Sequence, residues 1–253
     1  MRVQFSVTRS LSKDPNTAEV TISNLSEASR AEFQQRPLRV QIAAGYAGEN
    51  KLLFVGDVRP GSVSRIAGTD WETKLLLGDG SRAFAEARVN RSYKNGTAVR
   101  TILRDAATSM GLKLPKELDE SVELKQSLPV GESLTGYTSD ELTRLLAPFG
   151  YEWSIQNGKL QVLRSAQVLP NEARVVDETE GMLGTPELGT PEKGGKPPTL
   201  RLRHLLDGAF APGQKIKVVS RSVKRGLYKV QQVTHTGDSR GDDWETEIEA
   251  TPL

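Results

Sequence analysis

A phrase that occurs twice constrains what this chain can fold into more than any other feature. Gly68-Thr69-Asp70-Trp71-Glu72-Thr73-Lys74-Leu75-Leu76-Leu77 stands near the end of the first third, and Gly241-Asp242-Asp243-Trp244-Glu245-Thr246-Glu247-Ile248-Glu249-Ala250 stands near the end of the chain. In each copy a turn-forming Gly and Asp lead into Trp, an acid and Thr, and then into a stretch that reads as a strand. Phe54-Val55-Gly56-Asp57-Val58 lies about as far upstream of the first copy as Leu227-Tyr228-Lys229-Val230 lies upstream of the second. A β-like run precedes each, Leu38 to Ala44 and Gln214 to Ser220. A short match such as Asp-Trp-Glu-Thr can arise in two unrelated hairpins, but a shared order of strands points to duplication.

At 253 residues the chain exceeds one typical domain, and a differently patterned middle separates the copies. Two similar β domains flanking an insertion are therefore expected. A composition 36% hydrophobic and 26% charged is that of a globular protein with modest cores. The absence of Cys removes disulfides, thiol nucleophiles and thiolate zinc sites. No apolar run approaches a membrane span or a signal core, so neither classical export nor membrane insertion is expected. The outer parts are mildly basic and the middle mildly acidic, which fits a solvated mixed-charge surface better than a dedicated nucleic-acid binder.

The opening is all β. Arg2 to Thr8 and Thr17 to Ser23 alternate around the turn Asp14-Pro15-Asn16, and Asn24 or Ser26 can cap a short helix through Phe33 that ends before Pro37. Strands at 38–44, 52–58, 62–67 and 70–77 follow, as suits a small sandwich or barrel, with an exit strand at 82–93. The first β domain is thus expected at 1–93.

At Asn95-Gly96-Thr97 the period becomes helical, with Val99, Ile102, Leu103, Ala106, Ala107 and Met110 on one face, Thr97 as cap and Gly111 as stop. A second helix follows Thr138-Ser139-Asp140, and Asn157-Gly158 marks the clearest hairpin. Residues 94–178 read as a small α+β domain. From Glu180 to Pro198 the Gly and Pro content leaves no room for a regular element, so 179–198 is expected to be a linker or extended arm, protease-sensitive alone and ordered along a neighbouring chain. Gly189 to Lys196 is a poor match to a phosphate-binding loop, with the Lys late and Pro197 in place of Ser or Thr. Leu200 to Leu206 and strands at 214–221, 226–235 and 243–250 make a second β domain at 199–253.

Catalytic constellations are scarce. His204 and His235 lie in strands without a partner that sequence can place, and no Gly-x-Ser-x-Gly elbow or Ser-x-x-Lys pair is present. Asp57, Asp70, Asp79 and Asp243 leave a glycosidase-like acid and base pair open, yet most sit beside Gly in turns, where an Asp side chain serves the local backbone. Trp71 and Trp244 suit packing over a small barrel better than stacking a sugar or base. Arg201, Arg203, Arg221, Lys224 and Arg225 define a nucleic-acid alternative, whose affinity would fall steeply with salt. No catalytic, cofactor-binding or metal-binding residues are assigned.

Several phrases resemble one family. Pro15-Asn16-Thr17-Ala18-Glu19-Val20-Thr21-Ile22-Ser23-Asn24-Leu25-Ser26, Ala44-Gly45-Tyr46 and Leu53-Phe54-Val55-Gly56-Asp57-Val58 look like the opening of tailed-phage baseplate hub proteins, the late-control D-like tail proteins. Leu206, Ala211-Pro212-Gly213, Gly226-Leu227-Tyr228-Lys229-Val230 and Gly237-Asp238 before Asp243-Trp244 look like their C-terminal hub domain. The resemblance implies a non-enzymatic homotrimer, a ring that joins a six-fold tail tube or distal tail protein to a three-fold spike, and makes the β domains at 1–93 and 199–253 two related tube-like barrels or sandwiches in each subunit. It also implies contacts with surrounding baseplate proteins, DNA only passing through a central channel, and a place in the virion. The sequence has no β-helix repeat and no recognisable lysozyme or peptidase segment, so the spike and any wall-cutting activity are expected on other chains.

Overall fold

The computed structural model describes residues 1–35, 38–116, 126–189 and 198–253. They form two compact units, one of residues 1–11, 16–78 and 166–253 and the other of residues 12–15 and 79–165. The first unit opens with β1 (Val3–Ser10) and β2 (Thr17–Ser23), an antiparallel pair in which Phe5 faces Val20 and Val7 faces Ala18. Those four residues are buried while Ser6 and Glu19 are exposed, the alternation a one-sided core demands. Helix α1 (Glu27–Gln35) starts where the Ser26 hydroxyl accepts the Ser29 N–H at 3.2 Å. Asn24, the other expected cap, instead adopts a φ of 58° and anchors the first copy of the repeated phrase. Its Oδ1 accepts the Trp71 N–H and its Nδ2 donates to Asp70, each at 3.0 Å. Strands β3 (Arg39–Tyr46), β4 (Glu49–Val58), β5 (Val63–Ala67) and β6 (Asp70–Gly78) follow, and β6 pairs with β2, β4 and β5. Leu53, Phe54, Leu75 and Leu77 fill the core, and each such side chain contributes about 1.5–3 kcal/mol by leaving water.

The second unit contains α2 (Ser81–Glu86), β7 (Arg88–Tyr93), α3 (Val99–Ser109), β8 (Glu132–Tyr137), α4 (Thr138–Leu146), β9 (Tyr151–Gln156) and β10 (Lys159–Arg164). Two antiparallel pairs, β7 with β8 and β9 with β10, pack with the helices around Ile102, Leu103, Leu134, Leu142, Leu146 and Leu160. The expected exit strand at 82–93 is thus a helix followed by a shorter strand. Residues 81–86 are mostly helix formers, and Phe84 stacks on Trp153 at 5.1 Å. Thr97 does not cap α3; its hydroxyl closes the preceding turn on the Lys94 carbonyl. The hairpin turn at Asn157-Gly158 has the two positive φ angles, 53° and 75°, expected of that dipeptide. Asp79 is buried and its carboxylate accepts the N–H of both turn residues. Asp79→Ala is expected to cost about 2 kcal/mol by leaving these donors without their acceptor, measurable as a lower urea midpoint followed through Trp153.

The first unit is completed by β11 (Arg174–Asp177), β12 (Met182–Leu188), β13 (Leu200–Leu205), β14 (Lys215–Val219), β15 (Gly226–Asp238) and β16 (Trp244–Pro252). Part of the expected arm is therefore a strand. Gly184, at a φ of 70°, and Pro186 fall inside a register shift between Leu183 and Glu187 on this edge strand, where neither residue breaks the ladder. Residues 190–197, which include most of the phosphate-loop-like stretch, lie outside the described residues.

The two β halves share one strand order. In the first, β3-β4-β6-β2-β1 are neighbours, and in the second β14-β15-β16-β13-β12 are neighbours, all antiparallel. Strand β5 also finds its counterpart, because the long β15 does the work of both β4 and β5. Its early part pairs Val230 with Ala250 as β4 pairs Val58 with Leu77, and its later part pairs His235 with Thr246 as β5 pairs Ser64 with Thr73. The break at Pro60-Gly61 is matched by the bulge between Val230 and Gln232. The Thr of each phrase copy is buried and hydrogen-bonded across the hairpin, Thr73 to Ser64 and Thr246 to His235, each at 3.0 Å. Trp71 and Trp244 occupy equivalent strand positions in different surroundings. Arg30 lies over Trp71, whereas Trp244 meets Phe5 edge to face. The halves are not separate sheets, because β1 pairs with the later part of β15 and makes one 12-stranded sheet.

Candidate assembly interface

The sites singled out in the sequence do not converge. Asp57 lies on β4 opposite Arg39, Asp70 holds Asn24, Asp79 serves the β9–β10 turn, and Asp243 is an exposed turn residue whose carbonyl accepts the Asp238 N–H. A polar depression of about 230 Å³ does gather Glu19, Asp238 and Asp243. There Asp238, which the sequence marked only as part of the Gly237-Asp238 phrase, accepts hydrogen bonds from Arg2, the Arg240 N–H and Gln4, and these contacts hold its carboxyl down to about 2. That is the opposite direction from the one a general acid requires.

His204 faces the Leu205 carbonyl at 2.7 Å and the Glu180 carbonyl at 3.1 Å and meets Phe210 edge to face. His235 is fully buried, and burial pushes its pKa down to about 4. Arg201 pairs with Glu249, Arg203 with Glu245 and Arg221 with Glu178, so three of the five cations of the nucleic-acid alternative already face carboxylates. Among the described residues no group of three His, Cys, Asp or Glu could hold a metal ion, and no helix is long and apolar enough to cross a membrane.

What the sheet does present is edges. Among the described residues β3, β5 and β12 each pair on one side only, and β11 has beyond β14 just the single bridge from Asp177 to Gly181. Such edges expose a row of backbone donors and acceptors that must be covered or blunted. All four carry an exposed large apolar side chain, Tyr46 on β3, Val63 and Ile66 on β5, Val175 on β11 and Leu188 on β12. Strands β5 and β12 also carry exposed charges of opposite sign, Arg65 and Glu187. Sequence periodicity marked β5 as a strand, but nothing in a Gly- and Pro-rich segment marked β12.

A second feature lies beside β3. An apolar groove of about 410 Å³ is lined by Val3, Val20, Phe33, Val40, Ile42 and Leu75, among others.

This arrangement is the fold of phage tail proteins. No protein-family model matches the chain, and no curated protein does. Solved structures do match. The 43 kDa tail protein of prophage MuSo2 from Shewanella oneidensis superposes with a TM-score of 0.71 at 8% identity, over 100% of this chain and 93% of that one. A tail protein from Neisseria meningitidis MC58 gives 0.70 at 10% identity, over 98% and 91%. An E. coli protein described as a type VI secretion component with structural similarity to the phage T4 tail proteins gp27 and gp5 gives 0.63 at 13% identity, over 100% and 73%.

Proposed function

We propose that this chain is a structural baseplate hub subunit of a phage tail, three copies of which close into a ring with a central channel between tail tube and spike. The observation that carries this reading is the repeat together with its internal junction. Within one chain, β1 of the first half pairs with the later part of β15, setting Ser6 opposite Thr236 and Val7 opposite His235. In the repeat, β12 corresponds to β1 and β5 to the later part of β15, and these are two of the strands left with an open side. By the registers of β2 with β1 and β13 with β12, Glu187 corresponds to Ser6 and Leu188 to Val7. Arg65 corresponds to Thr236 and Ser64 to His235. Repeating the internal junction between chains therefore sets Glu187 opposite Arg65 of the next copy, an attractive cross-strand pair.

Such a head-to-tail contact either closes or propagates. Three chains of two halves each offer six similar edges to a six-fold neighbour. In this reading the tube, spike and surrounding baseplate proteins are the partners, DNA only traverses the channel, and the chain has no catalytic activity of its own. The likeness to phage tail folds and the lack of converging catalytic groups support it.

The test uses the absence of native Cys. With Arg65→Cys and Glu187→Cys in one chain, mild oxidation of the assembled particle should give a covalent trimer, because directly opposed strand residues lie within disulfide reach, about 4.5–5.5 Å between Cα atoms. A copy number other than three overturns the hub reading, and a six-fold ring of six whole chains would make this a tube-type subunit instead.

A further inference from the structure

The repeat also reveals a strand that one half has and the other lacks. Arg39, Val40, Gln41 and Ile42 of β3 correspond to Lys215, Ile216, Lys217 and Val218 of β14, since Arg39 pairs with Asp57 where Lys215 pairs with Lys229. On β14 the outer side takes β11 in parallel, with Arg174 opposite Ile216 and Val176 opposite Val218. Val176, Ile216 and Val218 are then 0% exposed and belong to one core with Met182, Leu202 and Ile248. On β3 no strand takes that place among the described residues, and Val40 and Ile42 remain only half-buried. The groove beside them is lined by Val3, Val20, Val40, Ile42 and Leu75, the counterparts of Met182, Leu202, Ile216, Val218 and Ile248. The five positions that share one core with Val176 in one half line an apolar groove among the described residues of the other. Phe33 does not close it, although α1 occupies the same connection, between second and third strands, that Phe210 occupies in the second half.

We infer that the β3 edge is a docking site for an extended segment of a partner protein, added in parallel as the strand that β11 supplies on β14. This mode of recognition takes affinity from backbone hydrogen bonds and specificity from pockets for alternate side chains. The segment places aliphatic side chains opposite Val40 and Ile42, into the groove. Its residue opposite Arg39 lies on the outer face, where Arg39 is exposed and forms no ion pair among the described residues, so an acid is favoured there. The recognised pattern is acidic, aliphatic, any, aliphatic. A groove of about 410 Å³ accommodates more than one such side chain. This inference does not depend on the ring, which uses β5 and β12.

The test titrates the isotope-labelled full chain with a synthetic octapeptide whose core is Asp-Leu-Thr-Val, following backbone amides by NMR and their hydrogen exchange. Perturbation should centre on Arg39 to Ala44, and those amides should gain protection. Arg39→Glu, an exposed change that spares the groove, should weaken this peptide about three-fold and strengthen one with core Lys-Leu-Thr-Val by a similar factor. A core of Asp-Leu-Thr-Asp should fail to bind at about 1 mM, since it carries a charge into the groove. The inference is overturned if the first peptide leaves β3 unperturbed at that concentration, or perturbs β5 and β12 equally. It is also overturned if β3 amides become protected with rising protein concentration alone, which would make a second copy the occupant.

Discussion

Phe210→Ala is expected to destabilise the first unit by about 4 kcal/mol, within the range of about 3–5 for a buried Phe. Phe210 is fully buried in the core of the second β half, with His204 edge-on at 5.1 Å and the Arg174 guanidinium 4.8 Å from its ring centre. It comes from the connection between β13 and β14, a segment that also buries Leu206, Pro212 and Gly213. The loss combines the transfer of the ring to water with a cavity that the sheet around it cannot collapse. Backbone amides of β13 to β16 should exchange much faster in the variant. Those of α3, α4, β9 and β10, which surround the separate core of the second unit, should keep most of their protection. A stability change below about 1 kcal/mol would show that the second half does not rely on this ring.

The repeated phrase reported that the two halves are alike because its Thr is required in both for the same reason, a buried hydroxyl bonded across a hairpin. Asn157-Gly158 was equally legible, since a backbone conformation selects those two residues. Strands β8, β11 and β12 left no signal. They are short, they lie at edges or beside helices, and β12 carries Gly184 and Pro186 in its irregular stretch. The joining of the halves through β1 and β15 was also hidden, because which edges meet across more than two hundred residues is decided by tertiary packing and not by local pattern. At the candidate interface, Arg65 and Glu187 are ordinary charges in the sequence and become informative only once the registers align them. The β3 groove is visible only as a difference between two halves that the sequence marks as alike.

Folding stability should fall by about 3 kcal/mol between pH 6.5 and pH 4, with His235 as the principal cause. Its imidazole is fully enclosed, and Nδ1 lies 3.0 Å from the Thr246 hydroxyl, which also accepts the Asp207 N–H. Burial moves its pKa from 6.5 down to about 4; the positive charge of Arg9 on β1 pushes the same way, and Asp207 opposes them. The folded protein therefore keeps this His neutral while the unfolded chain takes up a proton below pH 6.5. Stability is then fully present above that value, is lost as pH falls towards about 4, and changes no further from this group below it. A fall from 6.5 to about 4 corresponds to about 3 kcal/mol. Asp238 and Glu178 are each held at about 2, Asp238 chiefly by the Arg2 hydrogen bond and Glu178 chiefly by the Ser220 hydroxyl, so their losses come mainly below pH 4.5 and leave the upper window to His235. Urea unfolding at a series of pH values measures the slope directly. His235→Gln, which keeps a partner for Thr246 but cannot titrate, should flatten the curve between pH 6.5 and 4. An unchanged slope in that variant would assign the loss to other groups.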